Sequence, residues 1–232
     1  LALVAQATGK NPASFGGFDL ISELGTLMDK GGRFRDDSKF GDFSNPLGQS
    51  FDILALTRAT PGGAPKASID NLLTAQCADG GFAEAFPKAG APCSSSPDAT
   101  GLALQALVAT DNGCPAVKAI SWLTAHEQAD GSFANKAVDK SKPATANVNS
   151  TAYAALGLVA GHQSTAKVVA YLSSVQGADG GLPVNPGTSN KKSDVYATAQ
   201  ALDAFAGSSF LTIGPSPIAA KTLTCSPTPA ST

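Results

Sequence analysis

The chain has 232 residues, 43% of them hydrophobic and 15% charged, with a formal net charge of -2. That is apolar material for a large core and too little charge to gather nucleic acid or an anionic membrane surface. Apolar runs fall well short of the roughly 20 residues that span a bilayer, and the scarcity of aromatics beside abundant Ala and Gly suits close-packed helices better than a β-sandwich.

In chain order, Leu1 to Thr8 reads as the second half of a helix already under way, so the architecture is expected to be incomplete at its N-terminus. Ile21, Leu24 and Met28 then form a helical stripe that ends in Lys30-Gly-Gly-Arg-Phe34. The same template returns three times in closer form, as Gln76-Cys-Ala-Asp-Gly-Gly-Phe82, Glu127-Gln-Ala-Asp-Gly-Ser-Phe133 and Gln176-Gly-Ala-Asp-Gly-Gly-Leu182. Their Asp residues lie 51 and 49 positions apart. A branched residue and a Leu precede each block at helical spacing: Ile69 and Leu72, Ile120 and Leu123, Val169 and Leu172.

After each block comes a Gly/Pro/Ser-rich loop and a second helix, at Leu47 to Leu56, Asp98 to Leu107, Asn149 to Leu158 and Ser193 to Leu202. The first helix type is apolar on one stripe, which predicts an outer position. The second is apolar nearly all round and rich in small residues, which predicts an inner ring. Asp98, Asn149 and either Ser193 or Asp194 stand where a side-chain oxygen would cap an inner helix. The repeats fall near 15–60, 65–111, 115–161 and 164–206, and 207–232 reads as a tail and linker that ends in a Pro/Ser/Thr-rich stretch of the kind found in exported stalks.

A Gln-x-x-Asp-Gly-Gly-Phe block before a small-residue helix, repeated at about 50, resembles the prenyltransferase and squalene oxidase repeat of the terpenoid cyclase-like proteins. The resemblance covers roughly residues 15 to 206. It implies an all-α fold, an α/α toroid with inner and outer rings of helices, and a non-catalytic extracellular member of that superfamily. It says little about chemistry, because triterpene cyclases, protein prenyltransferase β-subunits, thioester domains and cobalamin carriers share the scaffold and not the reaction.

Four cysteines allow three pairings. Cys77 and Cys93 belong to the end of the ring where the Asp-Gly blocks cluster, whereas Cys114 and Cys225 belong to the other. An inner helix of about 12 residues is about 18 Å long, and bridged Cα atoms must lie within about 7 Å. Cys77 is therefore expected to pair with Cys93, and Cys114 with Cys225.

The enzymes of the superfamily have recognisable blocks. The Asp-x-Asp-Asp acid of triterpene cyclases is approached only by Arg35-Asp36-Asp37, the zinc set of the prenyltransferases is not matched by His126 and His162, and Gly113-Cys114-Pro115 is not a thioester sequence. No metal or cofactor is called for. The resemblance instead implies a central funnel whose mouth would carry Arg33, Arg35, Asp36, Gln49, Phe51, Asp52, Phe86, Asp98, Thr100, Asn149, Tyr153, Asp194 and Tyr196. Asp52 stands out as a carboxylate within an apolar inner helix, where burial would raise its pKa. Arg58 or a hydroxyl could satisfy it there, and Asp52 and Asp36 are the weak candidates for a catalytic acid. The leading expectation is a secreted or wall-attached module that binds a small apolar ligand, a glycan or a protein partner. A cyclase-like or lyase-like enzyme acting through a cavity carboxylate comes second. A cobalamin-carrier-like role comes third, and it would call for a covering β domain that this sequence does not contain.

Overall fold

Both helix types predicted from the sequence form, and they alternate. The computed structural model describes residues 1–135, 145–187, 192–219 and 223–225. The inner helices are α1 (Ala2–Ala7), α3 (Pro46–Ala59), α5 (Pro97–Ala109), α7 (Val148–Ala160) and α9 (Val195–Phe205). The outer ones are α2 (Leu20–Thr26), α4 (Lys66–Leu73), α6 (Gly113–His126) and α8 (Ala166–Ser174). The inner helices adjoin one another in chain order, and α4, α6 and α8 pack behind α3, α5 and α7. This is an α/α toroid architecture. Its strand content among the described residues is one two-stranded ribbon, β1 (Phe82–Ala83) antiparallel to β2 (Ser95–Ser96), in the loop before α5.

Small residues set the spacing of the inner helices. A Cβ added to Gly101 in α5 would stand 2.1 Å from the carbonyl oxygen of Tyr153, and one on Gly157 in α7 would stand 2.7 Å from the Cα of Gly101. Backbones approach that closely only where side chains are missing. The core between the two layers is aliphatic: Leu72, Leu104, Leu107, Leu123, Leu156 and Leu172 are fully buried.

One bond recurs in every repeat and explains the Gly-Gly-Phe block. A side chain at the fourth position after the inner-helix cap accepts the buried amide of the residue that ends the block: Gln49 from Phe34 at 3.0 Å, Thr100 from Phe82 at 2.8 Å, Thr151 from Phe133 at 2.9 Å and Thr198 from Leu182 at 2.9 Å. Phe82, Phe133 and Leu182 thereby plug between hairpins, almost wholly buried. The block's Asp closes the turn ahead of them. Asp79 accepts from the Gly81 amide and the Ser95 hydroxyl, and Asp179 repeats both bonds with Gly181 and Ser193.

The capping residues are Asn45, Ser96, Asn147 and Asp194. Asp194 was expected. Asp98 and Asn149 are not caps: the helices begin two residues earlier because Ser96-Pro97 and Asn147 supply a better start, an oxygen for the free amides and, in α5, a proline where no amide is wanted. Both side chains are thus free of the capping role.

Both predicted disulfides are present, Cys77 with Cys93 at a Cα separation of 5.6 Å and Cys114 with Cys225 at 4.3 Å. The second holds a segment that the sequence reading left outside the folded unit. Beyond α9 the chain runs back across the C-terminal ends of the inner helices, with Ser209 and Leu211 buried. Arg58 donates to the carbonyls of Phe210, Ile213 and Ser216, Gln105 accepts the Phe210 amide, and Gly214 packs against the backbone of Ala7. These residues form a floor under the ring. Residues 226–232, most of the Pro/Ser/Thr-rich stretch, lie outside the described residues.

Candidate functional site

An apolar cavity of about 620 Å³ opens between α1, α2 and α3. The first helix lines it with Ala2, Leu3, Val4 and Ala7, while α2 and its end and α3 each contribute one stripe at helical spacing, Leu20, Leu24 and Leu27 from the one and Gly48, Phe51, Asp52 and Ala55 from the other. Phe210 and Ile213 of the floor close the far side, and the Phe210 ring lies 5.4 Å from that of Phe51. The cavity exists because α2 sits loosely. None of its residues is fully buried, whereas α6 and α8 each seat several.

Asp52 and Glu23 are the two ionisable side chains in this wall, and Glu23 is exposed. Asp52 has no hydrogen-bond partner among the described residues. Arg58, the partner considered from the sequence, turns away to the floor carbonyls. Burial therefore acts almost unopposed and pushes the Asp52 carboxyl up to about 7, with the Leu1 ammonium pulling the other way and Asp36 adding to the rise. With its pKa this near neutrality the carboxyl is part protonated at neutral pH, and in that form it is a hydrogen-bond donor able to release its proton.

The other sequence-predicted residues divide into three groups. Gln49 and Thr100 are buried and committed to the backbone, Gln49 also donating to the carbonyls of Gly32 and Ser68, so both are clasps rather than lining. Arg33, Arg35 and Asp36 organise the α2–α3 loop. Arg33 binds the hydroxyl and carbonyl of Ser44 and lies 4.5 Å over the Phe86 ring, Arg35 bridges Asp29 and Asp42, and Asp36 accepts the Phe43 amide. Asp42 is held well below the usual carboxylate range by the Ser44 hydroxyl and Arg35. Asp194 caps α9, and Tyr196, two residues on, is exposed.

The third group meets at the inner-helix N-terminal ends. The Ser150 hydroxyl donates to Asp98 at 2.7 Å, and Gln200 donates to the Tyr153 hydroxyl at 3.1 Å. Burial raises the pKa of Asp98, opposed by the Ser150 bond, and raises that of Tyr153, with the Asp98 charge adding to it. The Asn149 Oδ1 and Gln200 Oε1 atoms are buried there without a partner among the described residues. Phe86, beneath Arg33, lines a more polar cleft of about 720 Å³ beside the Cys77–Cys93 bridge.

The floor was missed from the sequence. Its signal was present in Gln105, a polar residue in the apolar middle of α5, and in Phe210, Leu211 and Ile213, apolar residues in a stretch read as tail. No group of three or more His, Cys, Asp or Glu residues suited to a metal ion occurs among the described residues, nor is any helix among them long and apolar enough to cross a membrane.

No family model and no curated protein matches the sequence. Among solved structures, the chain is similar to the type II terpene cyclase MstE from Scytonema. One variant of that enzyme, in complex with geranylgeranyl dihydroxybenzoate as substrate, aligns with 88% of this chain at a TM-score of 0.56 and 17% identity. A second, in complex with merosterolic acid A as product, aligns with 88% at 0.56 and 16%. The chain spans 58% and 59% of the two cyclase chains. At identities this low the likeness shows the fold alone, an α/α toroid.

Proposed function

We infer that this protein is a secreted binding module of the non-catalytic kind, and that the α1–α2–α3 cavity takes a small apolar ligand carrying one polar group. The observation that carries this reading is the pairing of an almost wholly apolar wall with a single largely buried carboxyl, that of Asp52, which has no partner among the described residues. The volume falls within the range of pockets for small organic molecules. A neutral carboxyl would donate to a carbonyl, ether or hydroxyl of the ligand while the aliphatic stripes cover the rest. A glycan fits this wall less well, since sugars need several polar partners. Two disulfides and the lack, among the described residues, of a membrane-crossing helix are compatible with export to an oxidising compartment.

Native mass spectrometry of the protein isolated from its own source, before and after denaturation, tests this directly, with titration by the neutral apolar fluorophore N-phenyl-1-naphthylamine beside it. A retained small molecule, or 1:1 fluorophore binding that weakens at least about tenfold in Leu24→Trp, supports the reading. Absence of saturable binding, or binding indifferent to Leu24→Trp, overturns it.

A second reading is favoured by the same carboxyl. A neutral acid in an apolar cavity on this fold has the properties needed to protonate an alkene of a polyprenyl chain, after which ring closure and proton loss give an isomer of unchanged mass. It ranks second because Asp36, the other acid considered, is engaged by the Phe43 amide and does not line the cavity. Incubation with geranylgeranyl dihydroxybenzoate decides: a cyclised isomer that disappears with Asp52→Asn would favour catalysis over binding alone.

A further inference from the structure

Among the described residues, one place in the repeat is unfilled. In the first three copies the block's left-handed glycine serves as the seat of the next outer helix. A Cβ on Gly32 would lie 2.0 Å from the carbonyl oxygen of Ala67 in α4, on Gly80 2.9 Å from that of Lys118 in α6, and on Gly131 2.4 Å from that of Lys167 in α8. Gly180 has the same backbone form, with φ of 81°, yet nothing among the described residues stands within 4 Å of that position. The neighbouring Gln repeats the pattern. Gln76 donates both to the Gly80 carbonyl within its own turn and to the Pro115 carbonyl of α6, whereas Gln176 makes only the first of these bonds among the described residues.

The adjoining inner helix is bare in the same sense. Counted from the cap, Val195, Ala199 and Leu202 of α9 correspond to Val148, Ala152 and Ala155 of α7, which are fully buried; the α3 and α5 counterparts are buried too. In α9 all three are exposed, Val195 by 74% and Leu202 by 61%. An apolar stripe continuous with an empty helix seat is a surface shaped for a partner.

We propose that the α8–α9 edge docks a helical hairpin of a partner protein, its amphipathic outer helix seated on Gly180 and Gln176 and its second helix lying along Val195, Ala199 and Leu202. The occupant's chemistry follows from the three filled seats. Each holds a helix with a small or branched residue at one position and Leu four later on the buried face: Ser68 and Leu72, Ala119 and Leu123, Val168 and Leu172. Its early carbonyls face the glycine and the Gln amide, and its far side is polar.

The probe is a disulfide-closed helical-hairpin peptide with the sequence of residues 65–110, which carries one outer and one inner helix, titrated into the intact protein while backbone amide resonances are followed. Saturable shifts confined to residues 176–181 and α9 are expected, with affinity falling about fivefold in Gln176→Ala and at least about tenfold in Leu202→Glu. Both substitutions lie on exposed side chains and leave the fold intact. No saturable shift up to millimolar peptide, or shifts indifferent to both variants, overturns the proposal. So does self-association of the protein alone that Leu202→Glu abolishes, since the occupant would then be a second copy.

Discussion

A carboxyl without a partner in an apolar wall binds its proton more tightly in the folded chain than in the unfolded one, and Asp52 makes this measurable. Its folded pKa is about 7, against about 3.9 for an unfolded Asp. Between those values the folded state holds a proton that the unfolded state has released, so stability falls as pH rises through that window and levels off above it. Replacement by the neutral Asn removes the dependence. Asp52→Asn should match the parent near pH 4 and exceed it at pH 8, by at most about 4 kcal/mol, in paired urea titrations at the two pH values. Equal pH dependence in both proteins would mean that the carboxyl is solvated. At this scale the sequence was informative where residue type and helix position sufficed, as for Asp52. It failed where register decided: Asp98 and Asn149 resembled caps until Ser96 and Asn147 claimed that role two residues earlier.

Among the elements, the block glycines separate two demands that sequence cannot distinguish. Gly131 and Gly180 both need a left-handed backbone, but only Gly131 also has a helix resting on it. An Ala at Gly180 should cost about 1 kcal/mol, the ordinary penalty of that backbone form for a side chain. An Ala at Gly131 adds a clash with the Lys167 carbonyl that nothing flexible can relieve, and should cost at least about 2 kcal/mol more. Thermal unfolding of the two variants checks the order, and similar losses would show that α8 shifts to make room. The clasps make a parallel case. Thr151→Val keeps the shape but strands the buried Phe133 amide, a loss of about 1–3 kcal/mol, whereas Thr→Val on an exposed helix face is nearly neutral.

At the scale of the whole molecule, the floor binds the two ends of the ring together. The Cys114–Cys225 bridge spans 111 residues and the Cys77–Cys93 bridge 16. On chain-entropy grounds their loss should cost about 4–5 and about 3 kcal/mol respectively. Paired Cys→Ser variants should therefore lose more thermal stability at the long bridge. That variant should also become sensitive to limited proteolysis between 207 and 219, while the short-bridge variant stays resistant there. Cleavage confined to the 83–96 loop in both variants would mean that Arg58 and Gln105 hold the floor unaided.

The sequence by itself determined the helix types, their alternation, the repeat and the disulfide partners. Each of these rests on local periodicity, turn chemistry or a distance fixed by helix length. Only the tertiary structure decided that 208–218 is a floor, that the α1–α2–α3 interface holds a cavity, and that no helix among the described residues rests on the fourth glycine. Those depend on which surfaces meet, and in a repeat the same residues are buried or exposed according to whether another hairpin packs on them.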